Sequence, residues 1–121
     1  MSVTGTRVGD CLVVTLGRDL GGGTLEAVRQ VTLDGVQRDG AASVIVDASG
    51  VPFMDSQEFT DLRKVMQMAR LLGARCVLVG LRPGIIMHLM ASDTPVDGLE
   101  AMLGLDEALR ALDGSGGASH A

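Results

Sequence analysis

Ser56 is the residue best placed to carry chemistry in this chain. It stands in the run Val44-Ile45-Val46-Asp47-Ala48-Ser49-Gly50-Val51-Pro52-Phe53-Met54-Asp55-Ser56-Gln57-Glu58-Phe59. The run reads as a buried strand, a short loop, and an acidic serine at the start of a helix. Backbone N–H groups and the helix dipole at that end favour negative charge. A hydroxyl there can carry a phosphate, and one phosphoryl group changes the local charge by about −1.5 to −2. On spacing alone the same serine reads first as a plain helix-capping or first-turn residue. Asp55 and Glu58 would crowd a phosphate with carboxylates, making it a disruptor of any interface it enters.

Other chemistries find less support. Asp47 and Asp55 form an acidic pair, but Asp47 sits at a strand end before a turn and reads as structural. Receiver domains also use a strand-end aspartate as phosphoacceptor. They need an acidic pair after the first strand and a late lysine. Here the first strand ends Thr15-Leu16-Gly17-Arg18, and Lys64 is the sole lysine. The Gly21-Gly22-Gly23-Thr24 loop lacks the Lys-Ser/Thr of a phosphate-binding loop and reads as a flexible connection. His88 and His120 belong to no Ser/His/Asp or Cys/His set, and Gly-x-Ser-x-Gly is absent. No enzymatic activity, metal or cofactor is therefore expected of this chain. Cys11 and Cys76 lie in apolar runs without a C-x-x-C pair, as buried thiols of a reducing cytosol would.

The composition narrows the class further. The chain has 121 residues, which suits one domain over residues 1–113, with 114–121 as a disordered polar tail. Hydrophobic residues are 46% of the chain, enough for a globular core, while aromatics are 2%. A stacking surface for bases is thus missing, and the net charge of −5 disfavours a phosphate backbone. Nucleic acid is not an expected partner. No signal sequence opens the chain and no apolar run is long enough to span a bilayer, so a cytoplasmic protein without membrane contact is expected.

These residues need elements to position them. Cys11–Leu16 is a short apolar strand, with a weaker strand before it near Val3–Val8. Asp19–Gly23 is a loop, and Thr24–Arg38 a helix with poor propensity at Thr32 and Gly35. Ser43–Ala48 is continuously apolar, as a strand covered on both faces is. Asp55–Leu72 is the strongest helix, capped by Asp55 with Glu58 completing the box. Phe59, Leu62, Met66 and Ala69 recur on its buried stripe, and Arg63, Lys64 and Arg70 read as its solvated face. Arg75–Leu81 is another buried strand. Pro83 opens a helix to about Ala91, Asp93–Gly98 carries turn signals, and Leu105–Leu112 is a closing helix. Most methionines read as core fillers, with an unassigned few left for a partner surface. Alternating strands and helices predict an α/β fold with a mostly parallel sheet and right-handed crossovers.

The residues also resemble a known family. Asp47-Ala48-Ser49-Gly50-Val51, then Asp55-Ser56, a long helix, and Gly73-Ala74-Arg75-Cys76-Val77-Leu78-Val79-Gly80-Leu81-Arg82-Pro83 resemble the STAS domain (sulphate transporter and anti-sigma factor antagonist). The Gly-x-Arg-Pro end is most similar to the stressosome branch. The resemblance covers about residues 11–112. The chain departs from it at Ala91-Ser92-Asp93-Thr94-Pro95, where relatives commonly carry a glycine and a short apolar segment.

The resemblance implies a four- to five-stranded sheet with helices mainly on one side. It implies that Ser56 is the phosphoacceptor, with Thr24 near a second phosphosite of the stressosome branch. A partner interface would then include Asp47, Ser49, Asp55, Ser56, Gln57 and Glu58. The implied partners are a serine kinase of the histidine-kinase-like ATPase superfamily and a metal-dependent serine phosphatase. STAS paralogues in a large assembly are a further implied partner. The implied function is a phosphorylation-controlled antagonist or stressosome-type scaffold that sequesters the kinase through unmodified Ser56. A direct antagonist of an anti-sigma kinase, a purely structural scaffold subunit, and a nucleotide- or lipid-binding module are the alternatives.

Overall fold

Val44, Ile45 and Val46 have no solvent exposure, and they place β3 (Ser43–Asp47) at the centre of the sheet. The computed structural model describes residues 3–118. Before β3 come β1 (Val3–Val8), β2 (Cys11–Leu16) and α1 (Thr24–Gln37). After it come α2 (Ser56–Leu71), β4 (Arg75–Val79), α3 (Pro83–Ala91), β5 (Glu100–Met102) and α4 (Leu105–Ala118). The sheet order is β1-β2-β3-β4-β5. Only β1, hairpinned onto β2, is antiparallel; the other neighbours run parallel. The expected α/β class and mostly parallel sheet are borne out.

Strand alternation divides the core into two layers. Val44, Val46, Cys76 and Leu78 face α1, α2 and α3, meeting Val28, Phe59, Leu62, Met66, Ile85 and Leu89. Ile45, Val77, Val79, Cys11 and Val13 face the opposite side, where Ala108, Leu105, Leu109 and Leu112 of α4 cover them. Three helices thus lie on one side and one on the other. Cys11 and Cys76 fall in different layers, and both are free and buried. Burial pushes the Cys76 thiol up to about 12, so it stays protonated and unreactive.

Local chemistry explains the helices. Glycine at position 35 weakens α1 but lets it cross β2 closely: a Cβ there would come 2.4 Å from Leu12 Cδ2. The α2 capping box forms as the sequence predicts. The closing helix runs past its expected end at Leu112, so 114–118 extend α4 where a tail was expected. Extension of a nucleated helix adds one hydrogen bond per residue, which offsets part of the glycine penalty of about 1 kcal/mol each. The remainder of that expected tail, 119–121, lies outside the described residues.

The short β5 was not legible, because Glu-Ala-Met has neither alternation nor β-branching. It exists through pairing with Val77–Val79 of β4. Beside it Arg75 Nε donates to Glu100 Oε1 at 3.0 Å, and a second Arg75 nitrogen meets Oε2. The guanidinium hydrogen bond holds the Glu100 carboxyl below its ordinary range. A depressed carboxyl stabilises the fold above its unfolded value and loses that effect as pH falls through the lowered one. The two side chains are 39% and 38% exposed, and solvent screening matters at that exposure. We expect Glu100→Gln to cost less than about 1 kcal/mol at neutral pH in urea unfolding. The gap narrows as pH falls from about 4.3, the unfolded value, and closes below the folded one.

Candidate functional site

The parallel register brings the carboxyl ends of β3 and β4 side by side, with Asp47 opposite Val79. The loops leaving these ends build the site, as in other open parallel sheets. Asp47 Oδ1 accepts the Ser49 N–H at 3.0 Å, which turns the chain directly after β3. Arg82, the N-cap residue of α3, donates Nε and Nη2 to Ser49 O at 3.4 and 3.3 Å. Gly80 passes so close that a Cβ would lie 2.7 Å from Ser49 Cβ and 3.0 Å from Ser49 N. The Asp-x-Ser-Gly and Gly-x-Arg-Pro segments, distant in sequence, are therefore in contact.

Val51 and Met54 are buried and pin the loop, leaving Phe53 outside. Asp55 then caps α2: its Oδ1 accepts the Glu58 N–H at 2.8 Å, and Glu58 Oε1 accepts the Asp55 N–H at 3.0 Å. Both carboxylates are thus fixed beside Ser56, the first residue of α2. Gln57 turns outward, its Nε2 donating to Asp61 Oδ1 at 3.0 Å. Asp47 and Asp55 each hold a backbone N–H through one oxygen, a structural rather than a metal-ligating use. Among the described residues no group of three or more His, Cys, Asp or Glu side chains converges for a metal.

Ser56 itself is half-buried, and its Oγ lies 2.7 Å from Thr94 Oγ1. This partner was not among the candidates drawn from sequence. Thr94 belongs to the segment 92–98 after α3. Of the expected solvated face Arg70 is exposed as read, whereas Arg63 is largely covered, its side chain 19% exposed; both also reach the segment after α3. Arg63 Nη1 and Nη2 donate to Pro95 O at 3.2 Å and Asp97 O at 2.6 Å, and Arg70 Nη1 donates to Gly98 O at 2.7 Å. Charged side chains on a helix read as solvent-facing by default; only an adjacent loop with free carbonyls reveals their use. Lys64 does remain exposed.

Exposed apolar side chains occur on the loop before α2 and on α3. Phe53 tilts against His88 of α3 with ring centroids 5.1 Å apart. Ile86, Met87 and Met90 of α3 are also exposed, Met87 at 72% and Met90 at 62%. The methionines left unassigned by sequence thus divide: Met54 and Met66 fill the core, and Met87 and Met90 face solvent. Thr24 is placed differently. It is buried, and its hydroxyl donates to Gly21 O at 2.8 Å and Asp19 O at 3.2 Å, tying down the loop before α1.

The family model described as the STAS domain matches residues 3–95, and the chain belongs to this family. Over 53 residues it is 36% identical to the RsbT co-antagonist protein RsbRA of Bacillus subtilis (strain 168). That match covers 44% of this chain and 19% of the relative, so the chain spans a minor part of that protein. A form of RsbS from Moorella thermoacetica superposes with a TM-score of 0.80 at 22% identity, covering 94% of this chain and 97% of that one. The anti-sigma factor antagonist SpoIIAA in its unphosphorylated form gives 0.72 at 17% identity, covering 93% and 99%. These structural likenesses establish the fold. No helix of the described residues is long and apolar enough to cross a membrane.

Proposed function

We propose that this chain is a phosphorylation-controlled antagonist of the stressosome type, a cytoplasmic binding module without catalysis of its own. Unmodified, its Ser56 surface binds and sequesters a serine kinase of the histidine-kinase-like ATPase superfamily. The kinase supplies ATP and magnesium, this chain supplies the hydroxyl, and a metal-dependent serine phosphatase reverses the transfer. STAS paralogues assemble with it.

The observation that carries the reading is the setting of Ser56. Its hydroxyl stands half-buried at the first turn of α2, between fixed carboxylates and 2.7 Å from Thr94 Oγ1. Phe53, exposed three residues before Ser56, adds an apolar side chain of the kind a partner surface uses. A phosphate placed there adds charge to a site already holding Asp55 and Glu58, and repulsion expels the partner. The neighbour SpoIIAA, an anti-sigma factor antagonist whose unphosphorylated and phosphorylated forms both share this fold, is in keeping with the same reading. Thr24 takes the second place as acceptor, since its buried hydroxyl must first leave the loop carbonyls.

Intact mass tests the proposal. The chain is incubated with ATP, magnesium and a serine kinase of that superfamily, beside Ser56→Ala. We expect one phosphoryl group on the wild type and none on the variant. No gain, or a gain that survives the substitution, overturns the assignment.

A further inference from the structure

The segment 92–98 is a strap lying along α2. Thr94 meets Ser56, Pro95 and Asp97 meet Arg63, and Gly98 meets Arg70. Ser56, Arg63 and Arg70 are spaced by seven residues, about two helical turns, and so share one face of the helix. The strap's second residue is Asp93, with φ 53, the sole non-glycine residue of positive φ among those described. It ends at Gly98, with φ 77. A strained residue at one end and a glycine at the other are places where a chain can hinge.

We propose that the Ser56–Thr94 hydroxyl pair is the latch of this strap. Thr94 positions the Ser56 hydroxyl, and phosphorylation of Ser56 releases the strap from α2. The inference rests on Ser56 being the phosphoacceptor. In the transfer, the Oγ proton leaves to base and an Oγ–phosphorus bond forms. The bond from phosphorus to the departing nucleoside diphosphate breaks, a nucleoside triphosphate being the donor. The product has no Oγ proton to donate, and its ester oxygen is a weak acceptor. Its anionic oxygens stand beside Asp55 and Glu58, held by the capping box. Thr94 is 8% exposed, so its surroundings cannot hydrate a phosphate. The charge turns to solvent and the hydroxyl pair parts. The arginine contacts and the backbone bonds of Asp93 and Thr94 N–H to α3 are then what is left to hold the strap. Modification is thereby read over seven residues rather than at one side chain.

Amide hydrogen exchange tests the latch without a kinase, so its failure is distinct from failure of the phosphoacceptor assignment. The reporting amides are Asp93 N–H, bound to Met90 O at 3.2 Å, and Thr94 N–H, bound to Leu89 O at 3.0 Å. In Thr94→Val we expect both positions to exchange about fivefold faster, the factor one net hydrogen bond supplies. In Ser56→Glu we expect about tenfold or more, as the hydrogen bond is lost and a charge is added. Thr94→Ser keeps the hydroxyl and exchanges as the wild type does. The amides of Val44–Val46 stay protected in all four proteins, which verifies that each is folded. Wild-type exchange at the strap in Ser56→Glu and Thr94→Val overturns the latch, as does a Thr94→Ser strap as fast as that of Thr94→Val.

Discussion

Ser56→Asp is expected to weaken binding of the cognate serine kinase by about 100-fold, or roughly 2.7 kcal/mol. Ser56→Ala is expected to bind within a few-fold of the wild type. The difference isolates charge from loss of the hydroxyl. At the first position of α2 a carboxylate meets the positive end of the helix dipole, worth about 0.3–1 kcal/mol in favour of the fold. The lost hydrogen bond to Thr94 costs about the same. Global stability should therefore stay within about 1 kcal/mol of the wild type, and the loss of affinity belongs to the interface. There the new charge joins Asp55 and Glu58, three residues after the exposed Phe53. Desolvating an unpaired carboxylate against an apolar partner is unfavourable in itself, before any repulsion. Titration of the immobilised kinase with each variant gives the affinities, and urea unfolding gives the stabilities. Equal affinity for Ser56→Asp and wild type sinks the proposal that Ser56 lies within the kinase interface.

The parts of this molecule legible in sequence are those written locally. Val44–Val46 announce a buried strand, and Asp55 with Glu58 announce the start of α2, because burial and capping depend on neighbours in the chain. The same local reading singled out Ser56. It failed where the determinant is a distant partner. Arg63 looked solvated, and the binding role of the exposed Arg70 was missed, because nothing near them in sequence shows the carbonyls of Pro95, Asp97 and Gly98 that receive them. Thr94 passed as a turn residue because a hydroxyl pair 38 positions apart leaves no local trace. The three-residue β5 is stabilised by pairing with β4, and its own side chains carry no strand signal. The seven-residue spacing of Ser56, Arg63 and Arg70 was in the sequence, and it gains meaning only beside the strap.

Gly80→Ala is expected to be among the most damaging small substitutions in the chain, at about 2–4 kcal/mol. Two costs act together. Gly80 has φ 75, a left-handed backbone that costs an L-residue with a Cβ about 1–2 kcal/mol. The added Cβ also points at Ser49, 2.7 Å from its Cβ and 3.0 Å from its Cα and N. Those are largely backbone atoms, which cannot swing aside as the end of a long side chain can. The turn containing Ser49 is fixed from below by Asp47 and from the side by Arg82, so relief of the clash strains both contacts. Gly84→Ala is the control. It lies inside α3 with nothing within 4 Å of its would-be Cβ, and it should be neutral or stabilising by up to about 1 kcal/mol. Thermal unfolding of the two variants is expected to show Gly80→Ala melting roughly 10 °C below the wild type and Gly84→Ala at or above it. The strand amides of β3 and β4 should remain the last to exchange in both, since the clash lies beyond their carboxyl ends. If Gly80→Ala melts with the wild type, then the two halves of the site motif are not pressed together as the close approach to Ser49 requires. Their separate places in the sequence would then reflect separate roles.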